Sequence, residues 1–326
     1  MNHKLPILLT AAISLLGFHY LRTNAAQNAD SAKSGKIVEG SSEGPGKSKP
    51  AVVDGQQLVV QAAQRLLLLP GIEAKTQQQV QVFGQKITGT GTYLQLTKGP
   101  RLMLRLDLKL MESPAMNWLQ ICDGDTFWVR RTQGEATTLS RVNMRRLREV
   151  ASRVGPEAAP PPPSMWMALG GLPRLLVALD SYFDFGPAKP LTVGELPVWS
   201  IDGRWKPHVL ANLLPDQKDA ILAGEQPDLS QLPGQLPHGV NVILGRDQVI
   251  PLFPYGISYY RFVPDGEAMR REPLATWGLY HVRLRPDLTA SDFDYRPNDS
   301  QQVDERTDEY VARLEAAMTR PATAPQ

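Results

Sequence analysis

RLMLRLDLKL, residues Arg101–Leu110, alternates without a break: Leu102, Leu104, Leu106, Leu108 and Leu110 against Arg101, Met103, Arg105, Asp107 and Lys109. A period of two over ten residues predicts a β-strand with one strongly apolar face and one polar face. Downstream, Trp118–Cys122 and Thr126–Arg131 flank Asp123-Gly124-Asp125. Asp-Gly between two apolar runs is a hairpin signal, because glycine takes the positive φ that the tight turn demands. Upstream, Lys86–Leu96 carries Ile87, Gly89, Gly91, Tyr93 and Leu94, and Ile72–Phe83 alternates more loosely. With Thr137–Arg141, five or six consecutive strands are expected to pair as an antiparallel meander.

On either side of these strands the pattern changes. Asp54 is a candidate N-cap, and Leu58, Ala62, Arg65 and Leu66 follow at helical spacing until Pro70-Gly71 stops the helix. After the strands come an arginine-rich helical stretch around Val142–Val150, a proline loop at 156–163, and the apolar Met165–Phe183, broken by Gly170, Gly171 and Pro173. Leu196–Ile201 is expected as a strand. Trp205–Ala223 is expected to be helical, divided at Pro215 with Asp216 capping its second piece. Gly239–Leu244, Val249–Val263 and Thr276–Leu284 are expected as strands, Asp292–Tyr295 as a short strand and Val303–Met318 as an amphipathic helix. Strands, then helices, then strands make an α+β fold with a mainly antiparallel sheet.

The chain has 326 residues, 42% hydrophobic and 21% charged, with a net charge of +2. That supplies a core, and the charge is too small to indicate a nucleic-acid protein. The 28 prolines favour many short elements. The single cysteine, Cys122, excludes an intrachain disulfide and a cysteine metal site. Residues 1–26 have the three-part form of an export signal: a basic start, the apolar run Leu5–Phe18, and small residues at Thr23, Ala25 and Ala26. They are expected to act as a cleaved signal peptide or as an N-terminal anchor, placing the rest in the periplasm or cell envelope. Residues 27–53 read as a flexible linker, 54–318 as the folded domain with a helical, proline-rich insertion at about 156–237, and 319–326 as a tail.

Three stretches resemble signatures of the LolA/LolB lipoprotein-localisation family. Gly89-Thr-Gly91-Thr-Tyr93 followed by Lys98-Gly99-Pro100-Arg101 is similar to the family's G-x-G-x-aromatic strand and basic-Pro turn. Cys122-Asp123-Gly124-Asp125-Thr126-Phe127-Trp128 is similar to its S-D-G-x-x-L-W hairpin, and Ser291-Asp-Phe293-Asp-Tyr295-Arg-Pro297 with Val303-Asp304 to its closing segment. The resemblance implies an open, curved antiparallel half-barrel with a helical lid. It also implies a non-enzymatic, monomeric carrier of acyl chains from a lipoprotein or lipid, with a membrane-bound donor or acceptor and no cofactor. In the family an arginine before the turn proline locks the lid. That position here is Gly99, with Arg101 or Arg105 as candidate substitutes.

The expected cavity is lined by Tyr93, Leu102, Leu104, Leu106, Trp118, Phe127 and Trp128, with Met165 and Met167 at the lid edge. An ordinary filled core under a helix is the competing reading of the same residues. Arg141, Arg145, Arg146, Arg148 and Arg153 read as a headgroup-facing patch or, alternatively, a solvated helix face. Asp123-Gly124-Asp125 reads as a turn, since the further ligands of a calcium loop are missing. His208, His238 and His281 lie in no recognisable motif with Cys122. The alternative function is a membrane-tethered interaction or sensor module of the same fold. A hydrolase on an unfamiliar scaffold is the third reading, with no polar cluster in its favour.

Overall fold

The computed structural model describes residues 52–82, 85–99, 101–111, 115–153, 166–266 and 268–318. Helix α1 (Gly55–Leu68) begins where the Asp54 carboxylate accepts the Gln57 N–H at 3.2 Å. Such a cap satisfies one of the orphan amides of a first turn. Val59, Ala62, Ala63 and Leu66 form its buried stripe.

Six strands follow: β1 (Gly71–Val82), β2 (Gln85–Lys98), β3 (Arg101–Leu110), β4 (Met116–Cys122), β5 (Thr126–Gln133) and β6 (Ala136–Asn143). They pair consecutively and antiparallel, as the meander reading expects. Then come α2 (Met144–Ser152), α3 (Trp166–Tyr182), β7 (Phe183–Phe185), β8 (Lys189–Val193), β9 (Leu196–Trp205), α4 (Pro207–Leu213), α5 (Lys218–Leu222), β10 (Gly239–Gly245), β11 (Pro254–Asp265) and β12 (Ala268–Leu284). β13 (Val303–Glu305) and α6 (Thr307–Met318) close the chain.

All thirteen strands join one sheet, in the order β13-β6-β5-β4-β3-β2-β1-β12-β11-β10-β9-β7, with β8 also on β9. Among the described residues, only β13 on β6 is parallel. The two ends of this order do not pair with each other, so the sheet is open. Its two meanders meet at the pairing of β1 with β12, where Ile72 faces Leu284 and Val80 faces Ala275.

One apolar core runs along the inner face from Phe127 and Leu104 through Ala74 and Trp277 to Val242 and Ile201. It includes Leu172, Leu175, Leu176 and Leu179 of α3. The sheet therefore wraps its helices. This is the α+β half-barrel with helices against one face that the resemblance implies.

The structure corrects several local expectations. Trp205 ends β9, and the helical stretch after it is split into α4, a 3-10 turn at Pro215–Gln217 and α5; Asp216 sits inside that turn and caps nothing. β11 starts at Pro254, after a loop that returns Leu252 N–H to Gly245 O. Ser291–Phe293 is part of a 3-10 turn, closed by a capping box in which the Thr289 N–H donates to Asp292 at 2.8 Å. Val303–Glu305 is a strand, and the helix starts only at Thr307.

The polar face of β3 carries one buried apolar residue. Met103 joins Leu119, Ile121, Trp128 and Leu139 in a second core on the outer face, covered by Leu288 and Phe293. Residues 285–302 thus form a strap across the outer face of β2–β6, delivering β13 to the far edge.

Candidate functional site

Tyr93, Leu104, Leu106, Trp118 and Phe127 meet on the inner face, all buried in the main core, and Leu102 packs against them half-exposed. Trp128 does not join them. A strand sends neighbouring residues to opposite faces, and Trp128 belongs to the outer core, its ring 5.5 Å from that of Tyr295. Met165 lies outside the described residues, and Met167 is placed only as backbone of α3.

Helix α3 is the roof of this face, and it is two helical pieces. Gly170 (φ 149°, ψ 27°) and Gly171 (φ 59°, ψ −144°) are non-helical. Both φ values belong to the region only glycine enters freely. Pro173 is the second residue of the second piece, in a first turn where its missing N–H costs nothing. The kink sits directly on the leucine strand: a Cβ on Gly171 would lie 2.7 Å from Tyr93 Oη and 3.3 Å from Leu104.

A buried polar chain crosses this contact. The Leu172 N–H donates to Tyr93 Oη (3.3 Å), the Tyr93 hydroxyl donates to Gln95 Oε1 (2.8 Å), and Gln95 Nε2 donates to the Leu66 carbonyl (3.2 Å). It ties α3 to β2 and β2 to the end of α1, using an orphan amide of one helix and an orphan carbonyl of the other. Burial pushes the Tyr93 phenol well above its ordinary value, so it stays a neutral donor. Gln95, which sequence reading did not single out, is the centre of this chain. Its signal was a polar residue at an inward position, two after Tyr93.

Neither proposed substitute for the lid-locking arginine touches α3. Arg101 pairs with Asp125 at 3.2 Å. Arg105 is on the outer face, where it lines a shallow hollow of about 220 Å³ with Thr92, Asp107 and Lys109. Gly99 takes φ 59° in the turn. Two polar links tie α3 down here: the Tyr93–Gln95 chain to β2, and the hydrogen bond that Gln56 Nε2 of α1 donates to Asp180.

Three of the five arginines of the run make surface ion pairs: Arg141 with Glu305 (2.7 Å), Arg146 with Asp308 (2.7 Å) and Arg148 with Asp125 (3.6 Å). Arg131 stacks over Trp118, 4.9 Å from its ring, and burial lowers its pKa. Asp123 accepts the Asp125 and Thr126 N–H groups at 2.8 and 2.7 Å, which fixes the Asp-Gly hairpin turn. Burial pushes the Cys122 thiol up to about 11, away from the thiolate. His238 is held by the Phe262 N–H (3.1 Å) and Arg261 Nε (3.2 Å), His208 lies on α4 and His281 on β12. Among the described residues no cluster of His, Cys, Asp or Glu is placed to hold a metal, and no helix is long and apolar enough to cross a membrane. A second hollow, of about 300 Å³, crosses the outer face of β1, β12, β11 and β10 over Gly256 and Gly278.

No protein-family model matches the chain. No curated protein matches it in sequence. Solved structures similar to it include a DUF1329 family protein from Desulfovibrio piger (9% identity, 74% of this chain and 96% of that one, TM-score 0.33). LprF from Mycobacterium bovis is another (10%, 70% and 91%, TM-score 0.31). A LolA superfamily protein from Nitrosomonas europaea is a third (8%, 74% and 98%, TM-score 0.25). At TM-scores this low the fold reading stands on the strand order and the single inner core, not on these likenesses.

Proposed function

We propose that this protein is a non-enzymatic carrier or receptor of the cell envelope that takes an acyl chain, from a lipoprotein or lipid, against the inner leucine face by displacing α3. One observation carries the reading. The face is roofed by an apolar helix that is broken by a glycine pair above Tyr93 and Leu104, tied down beside the break by a short polar chain and further along by the Gln56–Asp180 hydrogen bond to α1.

The energetics suit an exchange. Each buried leucine is worth about 1.5–3 kcal/mol, so the four of α3 contribute roughly 6–12 kcal/mol to holding the roof down. A long acyl chain at about 0.8 kcal/mol per methylene offers a similar amount. A ligand of that size can replace the helix without leaving the face wet. Tyr93, Leu102, Leu104, Leu106, Trp118 and Phe127 are the proposed lining, with Met165 and Met167 at the moving edge and Trp128 no longer included.

Residues 1–26 supply export or anchoring in this reading. A membrane-bound donor or acceptor is the partner, and the carrier works as a monomer. The test is native mass spectrometry of protein from its own envelope, followed by organic extraction. A co-purifying lipid or acylated peptide is expected. An empty, monodisperse protein that also fails to bind a fluorescent fatty-acid probe refutes the carrier and leaves the interaction module.

A further inference from the structure

We infer that the end of the sheet formed by the α1–β1 connection and the β2–β3 turn is a docking surface for an anionic lipid bilayer. This inference goes beyond acyl binding and does not require it.

The surface starts from two leucines in the wrong place for a buried helix. Leu66 is fully covered, yet Leu67 is 48% and Leu68 82% exposed. They cannot turn inward. The bond from Gln95 Nε2 to the Leu66 carbonyl fixes the last turn of α1, and Gly71 pairs with Leu96 immediately afterwards. The same pairing places Lys98 two residues beyond the start of β1, beside the leucines. Arg65 lies in the last turn of α1. Among the described residues neither Arg65 nor Lys98 makes an ion pair.

The basic rim continues along this end. Arg101 opens β3, and the Met144 N–H bonds Asp125 O, bringing exposed Arg145 alongside. The nearby acids are engaged: Asp125 by Arg101 and Arg148, Asp123 by the amides of its own turn. Protruding leucines beside Arg65, Lys98 and Arg145, which make no ion pair among the described residues, match an interface with acyl tails below and anionic headgroups above.

The chain ahead of the described residues favours a bilayer over a soluble partner. Thirty-three residues separate Phe18, the end of the leading apolar run, from Val52. Even at random-coil dimensions a chain that long spans roughly 30 Å. Helix α1, with 14 residues, is about 21 Å long, so its leucine end lies within reach of a membrane that holds the apolar run.

The experiment reads the site itself, because the leading segment could hold the protein on vesicles by its own means. In the full chain, Leu68→Cys is labelled with an environment-sensitive nitrobenzoxadiazole probe; Cys122 is buried and stays unlabelled. Met269→Cys, 60% exposed beside the β11–β12 hairpin turn at the opposite end of the sheet, is the control.

Phosphatidylglycerol vesicles should shift the Leu68 probe to the blue and phospholipids carrying doxyl groups should quench it. The Met269 probe should stay unchanged. Phosphatidylcholine vesicles should do much less. Arg65→Gln with Lys98→Gln should weaken the response roughly thirty-fold, at about a factor of five per cation. A silent Leu68 probe, or equal responses at both positions, overturns the inference. Fatty-acid binding in solution is measured separately, so the carrier reading can survive that result.

Discussion

Replacing Tyr93 by Phe removes one oxygen atom from the polar chain beneath α3. The ring stays in its place beside Trp277, 6.2 Å away and nearly perpendicular. Two groups lose their partner in a buried setting: the Leu172 N–H, which donates to the hydroxyl, and Gln95 Oε1, which accepts from it. Each unpaired buried group costs about 1–3 kcal/mol. Some relaxation is available to the Gln95 amide, so the expected loss is about 2–4 kcal/mol. For a domain of this size that is a fall in Tm of roughly 5–15 °C.

Urea and thermal denaturation of wild type and Tyr93→Phe read this directly. Gln95→Leu should cost a similar amount, and the double variant less than the two single losses together, because both act on one chain. The functional consequence has the opposite sign. A loosened roof should exchange a fluorescent fatty acid faster than wild type. If Tyr93→Phe unfolds within about 0.5 kcal/mol of wild type, the polar chain does not hold α3 down and the reasoning fails.

Gly171→Ala forces a side chain into φ 59°, ψ −144° and onto Tyr93 Oη, and should cost about 2–4 kcal/mol by urea denaturation. Gly134→Ala, at φ 58° in a turn with open space, should cost less. Phe293→Ala empties the outer core beneath the strap. A loss of about 3–5 kcal/mol is expected, with new proteolytic cleavage inside residues 285–302. Burial, and after it the Arg261 charge, lowers the His238 pKa. The unfolded chain then binds the proton more readily, so stability present at neutral pH is lost as pH falls below about 6.5. The urea midpoint of wild type should drop on acidification through that range, and by less in His238→Gln.

The parts of the fold that sequence made legible are those whose determinants are local. β3 follows from five leucines at period two, the β4–β5 hairpin from Asp123-Gly124, and α1 from Asp54 and a helical stripe. The break in α3 is written in Gly170-Gly171-Leu-Pro173. Features set by distant partners were not legible. Met103 is outward on β3 and reads as tolerable exposure until a strap from residue 288 onward covers it. Val303–Glu305 lacks any strand signal of its own; it is a strand because β6 offers it an edge. Phe293 and Tyr295 alternate like a strand, but they are two anchors of a segment that crosses strands rather than pairing with them. Of the expected lining, Tyr93, Leu104, Leu106, Trp118 and Phe127 share the inner face, while Trp128 cannot join its neighbour Phe127 there because adjacent strand residues point to opposite faces; Met165 and the Met167 side chain lie outside the described residues. The Tyr93–Gln95 link was not legible because its partners, the Leu66 carbonyl and the Leu172 N–H, arrive from distant segments.

The seam between β1 and β12 has a consequence for how the molecule is made. Each meander can zip from neighbouring hairpins as the chain emerges, over residues 71–143 and 196–284. The seam joins residues about 200 positions apart, as in the bond from Trp277 Nε1 to Thr76 Oγ1. Closing so long a loop carries an entropic penalty that no local contact offsets beforehand. The two half-sheets therefore arise early and merge late, and until they merge β1 is an uncovered edge of twelve residues. A newly made chain is most exposed to mispairing in that interval, and a chaperone that shields β1 would act there.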